Sequence, residues 1–124
     1  MHYNLFLDDI RTPNQVTWVD LPLVDWVIVR NFEQFRDTIL EKGVPNQVSF
    51  DHDLGPAHYV FDWAGDGTKP EQPTGYDCAK WLANHCYIEN KPLPEYYVHS
   101  LNPIGADNID KYLKSYLRTE KYKK

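Results

Sequence analysis

The chain has 124 residues, the size of one domain that buries roughly two-thirds of the surface of its unfolded form, so the reading is a single domain over 1–124. Hydrophobic residues at 42% and charged residues at 25% exclude disordered and fibrous classes, and no run approaches the ~18 apolar residues of a membrane span. A formal net charge of −5 argues against sequence-independent binding to double-stranded DNA, which draws its affinity from many Lys and Arg contacts, and leaves a nucleotide or an RNA end as the nucleic-acid ligand. The start, Met1-His2-Tyr3-Asn4, has no basic segment followed by an apolar run, which predicts a cytoplasmic protein without a membrane partner.

Tyr3 to Leu7 is a short apolar run that stops at Asp8-Asp9, the pattern of a buried strand delivering polar groups to its C-terminal end. Arg11 to Pro22 holds two prolines in a mixed sequence and reads as a long loop or a poor helix. Trp26 to Val29 is the second strand. Asn31 is an N-cap with Gln34 three positions on, and Phe32, Phe35, Ile39 and Leu40 recur at helical spacing until Gly43 stops the run. Gln47 to Phe50 is a third strand, and it too ends in acids, Asp51-His52-Asp53.

Gly55 to Pro73 carries three glycines and three prolines and reads as an irregular excursion, expected to be a mobile flap over the strand ends. Thr74 caps a helix from about Gly75 to Ile88, with Cys78, Leu82 and Cys86 on one side. The two cysteines are eight apart, about 12 Å along the axis, too far to bridge each other, so two buried thiols are expected. Pro92 and Pro94 follow, then a fourth strand, Tyr96 to Val98, which runs into His99-Ser100. Asn102 and Pro103 open the last helix, whose stripe is Ile109, Tyr112, Leu113, Tyr116 and Leu117. The order of strands and helices implies a mainly parallel sheet with flanking helices.

In open parallel sheets, ligands bind beyond the carboxyl ends of the strands, and the most polar residues fall there three times: Asp8-Asp9, Asp51-His52-Asp53 and His99-Ser100. Converging carboxylates repel one another unless a cation sits between them, and oxygen ligands favour a hard divalent metal such as Mg2+, Mn2+ or Ca2+. His52 and His99 are placed to relay protons near neutral pH or to ligate as neutral imidazole. Ser100, Asn102, Gly105 and the amides opening the last helix are a candidate anion pocket, and Arg11 a candidate phosphate contact. No phosphate-binding glycine loop, dinucleotide fingerprint or Cys/His zinc spacing is present.

The runs Leu5-Phe6-Leu7-Asp8-Asp9-Ile10-Arg11-Thr12-Pro13, Ser49-Phe50-Asp51-His52-Asp53-Leu54-Gly55, Gly75-Tyr76-Asp77 and Val98-His99-Ser100-Leu101-Asn102-Pro103-Ile104-Gly105-Ala106 together resemble the cyclic-phosphate processing receiver-like domain family. The resemblance implies an α/β, receiver-like (flavodoxin-like) three-layer sandwich with about four mainly parallel strands, truncated relative to a full receiver. Asp8-Asp9, Asp51 and Ser100 resemble the receiver's acid pair, its phosphate-accepting Asp and its Ser or Thr after the fourth strand. A receiver also has a fifth strand with a Lys and a helix between its first two strands, and neither is seen here, which points away from phosphorelay signalling.

The resulting expectation is a metal-dependent phosphoesterase acting on a cyclic phosphate of a nucleotide, oligonucleotide or RNA end. Asp8, Asp9 and Asp51 hold Mg2+ or Mn2+, Asp53 ligates or orients, and His52 and His99 act as base and acid. Arg11, Ser100, Asn102 and Gly105 grip the phosphate. The alternative is a receiver-like module that binds a cyclic nucleotide or a protein partner without turnover.

Overall fold

The computed structural model describes residues 2–54 and 73–121. The elements are β1 (Asn4–Leu7), β2 (Trp26–Val29), α1 (Phe32–Lys42), β3 (Gln47–Phe50), α2 (Gly75–Ile88), β4 (Glu95–Val98) and α3 (Pro103–Lys121). Between β1 and β2 there is one 3-10 turn, Pro13–Gln15, where the sequence predicts a loop or poor helix. The segment expected to be a flap, Gly55 to Pro73, lies outside the described residues except for Pro73.

The helix starts follow from their caps. Asn31 accepts from the backbone N–H of Gln34, and Thr74 and Asp77 form a reciprocal capping box at the start of α2. At α3, the Oδ1 of Asn102 accepts from Ile104 N–H at 3.1 Å and Gly105 N–H at 3.0 Å, and Pro103, lacking an N–H, fills the first position.

The sheet is all parallel in the order β2-β1-β3-β4. Side chains alternate across it, and the register aligns the alternation from strand to strand. Leu5, Leu7, Val29, Val48 and Phe50 share one face and form a single core with Phe35 and Ile39 of α1, the α2 residues around Leu82, and Ile109 and Leu113 of α3. All three described helices thus lie on that face. Cys78 and Cys86 are both buried in it and are not joined in a disulfide. The expected stripes are trimmed at their edges: Leu40 is 58% exposed and Leu117 38%, because each sits where its helix turns toward solvent.

The opposite face carries Phe6 and Ser49, both fully buried. The third layer on this side includes the irregular 10–25 segment, held down by the buried Val16 and by Trp18, whose indole Nε1–H donates to the backbone carbonyl of His99 at 2.7 Å. Because parity continues past the strand ends, Asp8, Asp51 and His99 project on this non-helical side. Among the described residues, no helix is long and apolar enough to cross a membrane.

Candidate functional site

Three parallel strands stop in step, so Asp8, Asp51 and His99 leave β1, β3 and β4 at the same level, tied by Asp51 N–H to Leu7 C=O at 3.0 Å and His99 N–H to Phe50 C=O at 2.9 Å. One ligand atom from each of the three lies within 4.8 Å of the others, and all three residues are buried.

Asp8 has donors on both oxygens. Its Oδ1 accepts from the N–H groups of Ile10 and Arg11 at 3.0 and 2.9 Å, and its Oδ2 lies 3.1 Å from His99 Nε2 and 3.6 Å from the Arg11 guanidinium. Burial alone would raise its pKa, but the bonds from His99 and the two backbone amides outweigh burial and lower it to about 2. Asp51 has one such bond, from His52 N–H at 2.8 Å. Burial first, and then the charge of Asp8, push its pKa up to about 6. Asp9 is half-buried and is also raised, by burial and by Asp8. An ionised Asp51 here stands close to Asp8, and a cation between the two carboxylates would relieve their repulsion. Two carboxylates and an imidazole, with Asp9 adjoining, suit a divalent ion.

The two histidines occupy different environments. His99 is fully buried, stacked on Phe6 with centroids 4.6 Å apart, its Nδ1 2.6 Å from Ser49 Oγ and its Nε2 on Asp8. His52 is partly exposed, and its Nδ1 lies 3.0 Å from Asp53 Oδ1. Asp53 in turn accepts from Asn102 Nδ2 at 3.4 Å. The His52 ring lies flat against the first turn of α3: a Cβ on Gly105 would come 2.3 Å from its Cγ. A Cβ on Gly75 would come 1.7 Å from the Asp51 carbonyl oxygen, so α2 also approaches the site through a bare backbone, with Gly75 N–H donating to His52 C=O at 2.8 Å.

Around this centre, Arg11 rests on the Trp18 ring, 5.3 Å from its centroid. Ser100 Oγ accepts from Asn102 N–H at 3.1 Å, and the Gly105 amide is taken by the Asn102 cap, so the α3 amides expected to face an anion are partly used within the turn. The sequence reading passed over Ser49, Trp18 and Arg30. Arg30 Nη1 donates to the carbonyls of Asp8 at 3.1 Å and Arg11 at 2.8 Å, pinning the turn that carries both. Alternation along β2 was the available signal, since it puts Arg30 on the same side as Asp8.

With acids from two strands and a histidine from a third at one edge of a parallel sheet, the chain matches the model of the cyclic-phosphate processing receiver domain over residues 3–115. The chain belongs to this family. No curated protein and no solved structure matches it. Within the cyclic-phosphate processing receiver domains, the four parallel strands and three helices among its described residues are consistent with a truncated receiver-like fold.

Proposed function

We propose that this domain is a metal-dependent phosphoesterase that hydrolyses a cyclic phosphate on a nucleotide, oligonucleotide or RNA end. The observation that carries the proposal is Asp51: a buried carboxylate raised to about 6 beside Asp8 and His99, in a family associated with cyclic-phosphate processing. Asp51, Asp8 and Asp9 would hold the ion, Mg2+ or Mn2+, which when bound polarises a phosphoryl oxygen and lowers the pKa of water.

The rest falls to the chain's own groups. Arg11, backed by Trp18, offers a guanidinium to phosphate oxygens. Ser100, whose own proton is used in no hydrogen bond among the described residues, donates to the same oxygens, with Asn102 and Gly105 shaping that turn. Asp53, as acceptor, places a proton on His52 Nδ1 and leaves Nε2 as the unprotonated nitrogen of a partly exposed ring. Nε2 then removes a proton from the attacking water; the new P–O bond forms, the ring P–O bond breaks, and the leaving oxygen takes a proton from solvent water, to which the protonated His52 returns its own. His99 is sealed from solvent, which favours a role through Asp8 over direct exchange with substrate.

The test is to incubate purified protein with Mg2+ or Mn2+ and a panel of cyclic mono- and oligonucleotides. Expected is ring-opened product, lost in Asp51→Ala. Tight binding of an unchanged ligand would replace the enzyme by a binding module.

A further inference from the structure

The most enclosed polar arrangement in the described residues holds one group that the phosphoesterase reading does not use, Ser49: with His99 and Asp8 it forms an unbroken chain, each residue fully buried, with links of 2.6 and 3.1 Å. Ser49 cannot be a nucleophile in this position, because it sits inside β3 with no exposed surface. The chain does have a direction. Asp8 Oδ2 needs a donor from His99, which places a proton on Nε2; the Nδ1 lone pair then needs a donor of its own, and the Ser49 hydroxyl is the group within reach. The ring cannot turn away, since Phe6 stacks on it at 4° between planes and Trp18 grips its backbone carbonyl.

We propose that Ser49 is a positioning residue: by donating to His99 Nδ1 it fixes the Nε2–H form of His99, which orients the Asp8 carboxylate toward the cation seat, so that His99 serves as a second-layer donor and not as a ligand. This rests on the metal reading above for its consequence, but not for the geometry. Ligating carboxylates are oriented by the hydrogen-bond donors behind them, and losing such an outer partner typically costs about 10–100-fold in metal affinity.

The experiment is two-bond proton–nitrogen correlation NMR on the 15N-labelled protein at neutral pH, with and without Mg2+, and with His99 signals assigned by their loss in His99→Asn. Wild-type protein is expected to show the Nε2–H tautomer in both conditions. Ser49→Ala should show mixed tautomers and a Mg2+ Kd raised about 10-fold or more by calorimetry, and Ser49→Thr, which keeps the hydroxyl, should restore both. An Nδ1–H tautomer or a doubly protonated ring in the wild type overturns the proposal, since Ser49 would then be an acceptor. So does an unchanged tautomer in Ser49→Ala. Should Ser49→Ala fail to fold, the wild-type and Ser49→Thr spectra still decide. If the wild type binds no metal, the phosphoesterase reading loses its ion while the metal-free spectrum settles the role of Ser49 independently.

Discussion

At the scale of single residues, Asp8 and Asp51 are the same chemical group driven in opposite directions, Asp8 down to about 2 and Asp51 up to about 6. The raised folded-state value of Asp51 means that its contribution to stability is fully present below about pH 4 and is lost as the pH rises through about 6. At about 1.36 kcal/mol per unit, the separation from 3.8 amounts to roughly 3 kcal/mol. Asp8 works the other way, its contribution being present above about pH 4 and lost as the pH falls toward 2. Metal-free protein should therefore gain stability in Asp51→Asn relative to the parent, by an amount that grows from about pH 4 to pH 6 and then levels off. Urea denaturation across that range checks it; a difference that does not depend on pH would remove the electrostatic basis of the cation seat. Added Mg2+ should raise the parent's melting temperature above pH 6 and leave Asp51→Asn unmoved.

At the scale of elements, the two helices that open onto the site do so through glycines, and the two close approaches have different consequences. At Gly105 the obstacle is the His52 ring, a side chain that can swing aside, so Gly105→Ala should fold and bind metal while the ring is displaced. Turnover should fall roughly 100-fold, the scale of a 1 Å misplacement, with the Mg2+ Kd within about twofold of the parent. At Gly75 the obstacle is the Asp51 backbone, which cannot move without breaking the β3 register, so Gly75→Ala should cost roughly 2–4 kcal/mol in thermal unfolding. Equal effects of the two changes on stability would show that the packing distinction is wrong.

The element boundaries themselves were legible in the sequence, because each is marked by local chemistry: Asn31, Thr74 and Asn102 start helices, and the apolar runs of β1 and β3 stop at acids. What local pattern does not encode is which partner a polar group meets across the sheet. Ser49 reads as a small residue inside an apolar strand until its row is aligned with Tyr97 and the next position on that face, just past the end of β4, proves to be His99. For the same reason His52 and His99, alike in the sequence as polar residues after a strand, separate into one partly exposed and one sealed.

At the scale of the fold, the three described helices are all on one face, so the site's stability depends on how the irregular 10–25 segment is held to the other. A segment with a single 3-10 turn has few internal hydrogen bonds, and its attachment comes from outside it: Trp18 to the His99 carbonyl, and Arg30 to the carbonyls of Asp8 and Arg11. Arg30 is the more instructive of the two, because one charged nitrogen satisfies two carbonyls at the turn from which Asp8 accepts its backbone amides. Arg30→Met keeps much of the buried stem and removes both bonds. Charged hydrogen bonds of this kind each contribute about 1.5–3 kcal/mol net, so the loss is large for the turn yet modest for a core that Arg30 does not enter. The expected result is faster amide hydrogen exchange at Ile10 and Arg11, whose N–H groups bind Asp8 Oδ1, together with weaker Mg2+ binding. Exchange in the centres of α1 and α3 should stay slow, since these helices pack on the opposite face. Uniformly faster exchange throughout the chain would mean that Arg30 supports global folding instead, and unchanged exchange at Ile10 and Arg11 would mean that the turn holds Asp8 without it.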